Sequence, residues 1–136
     1  MMKKLFVLPL AAAMVAALGG CAMKADPARA AKLQEATASA PRCTGEKDCA
    51  AKWDAAQLWV VKNAGFKIQN ATNVLIQTYF PTNASMALGV EVTKEGEGGG
   101  VHVIRARIWC DNFIGCERDP LDAVLDFNRK VASAQP

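Results

Sequence analysis

Four of the five cysteines in this 136-residue chain fall in two pairs of identical spacing: Cys43 with Cys49 (CTGEKDC) and Cys110 with Cys116 (CDNFIGC). Two C-x5-C loops constrain a small fold more than its hydrophobic pattern does. They can be covalent staples, metal clips or redox pairs, and each choice implies a different compartment. Zinc ligands usually come as C-x2–4-C pairs, and only His102 could join such a set. A catalytic dithiol uses C-x-x-C. Structural disulfides are left, provided that the chain is exported.

The N-terminus, "MMKKLFVLPLAAAMVAALGGC", supplies that condition. Lys3 and Lys4 precede an uncharged run from Leu5 to Gly20 that ends in small residues. A basic start, a short apolar stretch and a small-residue end are the parts of an export signal. A spanning helix needs roughly 20 apolar residues, and this run contains Pro9, so a permanent span is the weaker reading. Leu18-Gly19-Gly20-Cys21 resembles the lipobox of bacterial lipoproteins. The resemblance covers residues 1–22 and implies cleavage before Cys21, a lipid on its sulfur and acylation of its new amino group. Two or more acyl chains anchor a protein stably where one is marginal. In that family an aspartate after the cysteine tends to retain the protein at the inner membrane. Ala22 therefore implies the periplasmic face of the outer membrane.

Cleavage removes Lys3 and Lys4, which takes the basic count from 16 to 14 against 13 acidic residues. A chain so near neutrality has no global charge for nucleic acid or for an electrostatic membrane surface. The expected organisation is a signal peptide over 1–20, a lipidated cysteine and flexible tether over 21–42, and a single periplasmic domain over 43–136. Residues 22–42 hold no aromatic and few large aliphatics, so they bury too little surface to offset chain entropy. Asp26-Pro27 could cap a short helix there, with nothing obvious to hold it. A tether of about 20 residues reaches roughly 25 Å.

From Cys43 onward the pattern changes. Residues 48–65 predict a helix with Asp48 as N-cap and Gly65 at C′, and with Trp53, Ala56, Val60 and Ala64 on one stripe. Leu58, Trp59 and Val61 widen that stripe and predict burial on more than one side. Three runs then alternate with period two: Val74–Phe80, Met86–Thr93 and Ile104–Cys110. These are half-buried antiparallel strands, joined by turns at 81–85 and at "EGEGGG", 95–100. A fourth strand at Phe66–Asn70 is possible. The last helix takes Asp119 as N-cap and Pro120 as its first residue, with Asp122 in a capping-box-like pair. Its apolar stripe is Leu121, Val124, Leu125 and Val131. The expected fold is α+β: a three- to four-stranded antiparallel sheet with two helices packed on one face, stapled by disulfides.

Four cysteines allow three pairings. Local pairing closes rings of 7 residues, for which the chain-entropy account gives about 2.4 kcal/mol each; cross-linking the two loops gives roughly 4.5 kcal/mol. Matching loops ahead of each helix favour local pairing, Cys43–Cys49 and Cys110–Cys116.

The odd-numbered strand residues share the face away from the helices. A register that sets Glu91 opposite Arg105, Gly89 opposite Arg107 and Ala87 opposite Trp109 gathers Tyr79, Gln77, Glu91, Arg105, Arg107 and Trp109 there. Small Gly89 and Ala87 would leave a trough between them. Arginine and aromatic residues are enriched at interaction hot spots, so this is the candidate binding face. The plain alternative is a solvated face finished by ordinary cross-strand pairs. His102 reads as a lone surface histidine, and "EGEGGG" lacks the setting and lysine of a phosphate loop. Asp111 and Glu117 flank the second cysteine loop and suit helix entry better than acid–base work. Phe113 and Ile114 are expected to pack against the first helix. With no nucleophile–base pair, no metal set and no cofactor motif, a non-catalytic envelope lipoprotein is expected, its partners the membrane and an envelope protein or cell-wall component. The alternatives are a small periplasmic enzyme acting on cell-wall material and an inhibitor lipoprotein that blocks a foreign enzyme.

Overall fold

In the computed structural model, which describes residues 26–136, the alternating runs form one antiparallel sheet. The signal peptide, Cys21 and the first tether residues lie outside the described residues. The strands are β1 (Arg42–Thr44), β2 (Ile68–Ala71), β3 (Leu75–Thr78), β4 (Gly89–Gly98) and β5 (Val101–Trp109), in the order β1-β5-β4-β3-β2. The helices are α1 (Pro27–Ala38), α2 (Glu46–Asn63) and α3 (Pro120–Ala132). The α+β class holds, with five strands instead of three or four and three helices instead of two among the described residues.

The extra helix lies where the sequence predicts a tether. Asp26 caps it by accepting from the Ala28 amide at 3.0 Å. Its hold on the fold comes from far along the chain. Asn128, buried in α3, donates through Nδ2 to the Ala36 carbonyl at 2.8 Å and to Ser39 Oγ at 3.0 Å. Lys32 pairs with Asp122 at 2.7 Å and Arg29 with Asp119 at 3.4 Å. These contacts rise together along both helices, so α1 and α3 run side by side in the same direction. Ala36 and Ala40 are buried at the seam.

α2 begins two residues before the expected cap. Gly45, at φ 77°, stands at the N-cap, and Asp48 sits inside the first turn. The Asp48 carboxylate reaches back to the Thr44 amide at 2.8 Å and forward to Lys52 at 2.9 Å. The Lys52 ammonium, followed by that amide, holds Asp48 below the ordinary carboxylate range. Trp53, Ala56, Trp59 and Val60 are buried, while Leu58 and Val61 are exposed, so the helix is buried on one side only. Gly65 does not adopt the left-handed C′ conformation. It is glycine because a Cβ there would collide with the Ala87 side chain where the two segments cross.

α3 is capped as the sequence indicates, with the Asp119 carboxylate accepting from the amides of Leu121 and Asp122. Those backbone bonds hold Asp119 below the usual carboxylate range. Asp122 makes no capping box; its carboxylate goes to Lys32, whose own pKa that hydrogen bond raises. The buried stripe is Ala123, Phe127, Asn128 and Val131, with Leu121, Val124 and Leu125 at its margin. Phe127 meets Trp59 edge to face at 5.4 Å, locking α3 to α2 over the sheet. Ile76, Leu88, Val90, Val92, Ile104 and Ile108 form the sheet side of this core, the even-numbered face the alternation predicts. Burying such side chains contributes about 1.5–3 kcal/mol each.

The register differs from expectation by two residues. β4 runs on through most of "EGEGGG", and the turn is only Gly99-Gly100, at φ 59° and 78°. Two successive positive φ values match a tight primed turn, which glycine alone adopts freely. Glu91 therefore pairs with Arg107 and Gly89 with Trp109. Gln77 likewise faces Glu91. A slip of two keeps the paired residues of β3, β4 and β5 on their predicted faces.

Candidate functional site

Antiparallel pairing collects two connections, β3–β4 and β5–α3, at one end of the sheet. The residues after β3, those before β4 and the Cys110–Cys116 loop after β5 all lie there. Both disulfides join neighbours in sequence, Cys43–Cys49 with Cα atoms 4.9 Å apart and Cys110–Cys116 at 5.6 Å. The second closes a loop whose tip points into solvent: Phe113 is 94% exposed and Ile114 78%. The expected packing of these two residues against the first helix is thus overturned. The neighbouring loop holds this one from the side instead. Ala84 donates its amide to Asp111 Oδ2 at 3.2 Å and accepts at its carbonyl from Asn112 Nδ2. Ile114 donates its amide to Asn112 Oδ1, and the Glu117 amide bonds the Met86 carbonyl at 2.9 Å. Asn83 and Ala84 both stand at positive φ to make that approach. The loop is braced at its base and bare at its tip.

The six residues of the predicted binding face do share the outer face, but they partner one another differently. Gln77 donates through Nε2 to Glu91 Oε2 at 2.8 Å and accepts at Oε1 from Asn70 Nδ2 at 3.0 Å. Arg105 lies 3.6 Å from Glu95 and 3.9 Å from Glu97, while Arg42 meets Glu97 at 2.8 Å. The register sets Val103 between Arg42 and Glu95 beside this charge cluster, and it is buried. Arg107 stacks its guanidinium 4.7 Å from the centroid of the Trp109 ring. Phe80, expected on the helix side, comes round after β3 ends and packs against Trp109 at 5.6 Å. No trough opens at Gly89, because Pro81 occupies the place its Cβ would take. What stays open is the corner made by exposed Arg107 and Phe80 and half-buried Trp109, with Tyr79 at its margin.

At the opposite end, His102 is not alone. Its Nδ1 lies 4.0 Å from Cys49 Sγ, and a ligand-type atom from each of Cys43, Cys49 and His102 falls within 4.8 Å of the others. The two sulfurs are joined to each other, so the set is a disulfide with a histidine beside it and not a thiolate site. Cys49 and His102 border an open cleft of about 910 Å³. Trp53 lines it, donating to the Thr72 carbonyl at 3.0 Å beneath the Lys94 ammonium, 5.0 Å from the ring centroid. Asp111, one of the two carboxylates flanking the second loop, bonds Ala84, and Glu117 is exposed.

Sequence reasoning missed Phe80 as a member of the outer corner and the exposure of the Phe113-Ile114 tip. Pro81 was the available signal for the first, since it ends β3 and turns Phe80 away from the alternation. Compared with protein-family models, curated proteins and solved structures, the chain has no match. No helix among the described residues is long and apolar enough to cross a membrane.

Proposed function

We propose that this protein is a lipid-anchored, non-catalytic binding module of the cell envelope. Cys21 holds it on the periplasmic face of the outer membrane, and the Arg107–Trp109–Phe80 corner engages an envelope protein or a cell-wall component. One observation carries this reading. On a face where Arg105, Arg42, Glu91 and Gln77 are taken up by partners, Arg107 is left stacked on Trp109, itself packed on Phe80, and open to solvent. Arginine beside aromatic rings is the composition that concentrates binding energy at protein interfaces. The Gln77–Glu91 and Arg42–Glu97–Arg105 groups keep the surrounding sheet in shape.

Photo-crosslinking in cells from a probe at Phe80 tests it. A discrete adduct that disappears in Arg107→Ala, with the fold retained, is the expected result. An adduct unchanged by Arg107→Ala would place the contact elsewhere.

The bare Phe113-Ile114 tip favours a second reading, that of the inhibitor lipoprotein. A protruding apolar plug braced by a disulfide has the form needed to enter an enzyme's cleft.

A further inference from the structure

We propose that the Phe113-Ile114 tip is a lipid contact. It enters the interfacial region of the same bilayer that holds Cys21, so the domain lies against the membrane with its Cys110–Cys116 end down. This inference rests on the reading of Cys21 as the lipidated residue and adds to it an orientation.

The placement follows from α1. Its N-terminus is tied to the start of α3, through Arg29 to Asp119 and Lys32 to Asp122. Asp119 follows Cys116, the closing cysteine of the exposed loop, by three residues. The chain therefore leaves the folded part towards Cys21 at the end that carries Phe113 and Ile114. Five peptide links separate Cys21 from Asp26, and they span at most about 17 Å. The tip stands three residues from each end of a loop closed by a disulfide, and Asp119 three residues beyond that. The same covalent limit thus puts the tip within about 20 Å of Asp119. An anchor on so short a lead brings this end of the domain to the membrane surface. The opposite end, with His102 and the Gly99-Gly100 turn, faces away.

The chemistry of the tip agrees. Phenylalanine with an aliphatic neighbour, presented on a braced loop, suits shallow burial at the boundary of headgroups and acyl chains. A near-neutral chain supplies no bulk attraction to an anionic surface, so the contact depends on apolar burial. Because the brace already fixes the loop, little conformational freedom is lost when the tip is buried. A protein cleft is the competing occupant of the tip, and the experiment separates the two.

The full-length chain is made in cells with benzoylphenylalanine replacing Phe113 or, separately, Lys47, which is exposed in the first turn of α2 at the far end. After irradiation, membranes are fractionated and adducts are sorted into phospholipid and protein. Phospholipid adduct at position 113, with at least about tenfold less at position 47, is expected. Protein adduct alone at position 113 overturns the proposal in favour of the inhibitory plug. Equal lipid adduct at both positions, or none at 113 in a membrane-bound chain, also overturns it. Incorporation of radiolabelled palmitate into the native chain and into Cys21→Ser reads the anchor independently. If the native chain takes up no label, or Cys21→Ser takes up as much, the anchoring assignment fails, whatever position 113 reports. A mobility shift on reduction confirms that both disulfides formed in each probe variant.

Discussion

Trp59 donates its indole N–H to Asp126 Oδ2 at 2.9 Å, joining α2 to α3 across 67 residues of sequence. That bond comes first among the causes that hold Asp126 below the ordinary carboxylate range; Arg129 and Arg118 support it, and partial burial opposes it. A lowered folded-state pKa means stabilisation that is in place above about pH 4 and lost as pH falls towards the folded value. Trp59→Phe removes the donor and keeps a ring against Phe127. It should cost about 1.5–3 kcal/mol at pH 7, as a hydrogen bond to a charged group does, and less at pH 3. Urea unfolding at the two pH values measures the difference. An equal cost at both would assign the loss to packing.

Asn128 decides whether α1 belongs to the fold. With Asn128→Ala the Ala36 carbonyl and Ser39 hydroxyl lose their donor, at about 1–3 kcal/mol. Amide hydrogen exchange across 27–38 should then accelerate well before exchange in the sheet. Uniform acceleration everywhere would show that α1 and the core unfold as one unit.

The two disulfides close rings of equal size, so the chain-entropy account gives each about 2.4 kcal/mol. Their surroundings differ. Cys43 and Cys49 lie in the main core, whereas the second pair sits at its edge with Cys116 only partly buried. Replacing both members of the first pair with alanine should lower the denaturant midpoint more than the same change in the second. The reverse order would mean that the braced loop organises the fold and does more than decorate it.

Gly89→Ala drives a methyl group into Pro81 and should destabilise by about 1–3 kcal/mol through overpacking. Gly96→Ala, whose new methyl would meet only the His102 ring near van der Waals distance, should stay within about 0.5 kcal/mol. Thermal unfolding of both variants checks the contrast. Similar values would remove the close approach of Pro81 as the reason for glycine at position 89.

Period-two alternation at 86–93 and 104–110 and the Asp119-Pro120 start of α3 were legible in the sequence because each is local. Local pairing of the cysteines also came through, since each ring spans a single turn of chain. The docking of α1 was not legible. Its stripe is alanine-rich and weak, and its hold is a side chain 92 residues away. The strand register slipped because six residues of "EGEGGG" were assigned to a turn that uses two, and glycine gives no side chain to mark where a strand stops. Phe113 shows a further limit. Hydrophobicity implies burial on average, yet a seven-residue ring braced from outside can hold an apolar tip away from the core.

Both margins of the sheet are short. β1 offers three residues and β2 four, and the β2–β3 ladder is broken by an irregularity between Ile68 and Asn70. Long, flat, unpaired strand edges are the templates on which sheets of neighbouring molecules fuse. Copies crowded side by side thus have little backbone through which to zip into fibres, and a dense array of them can stay an array of separate molecules.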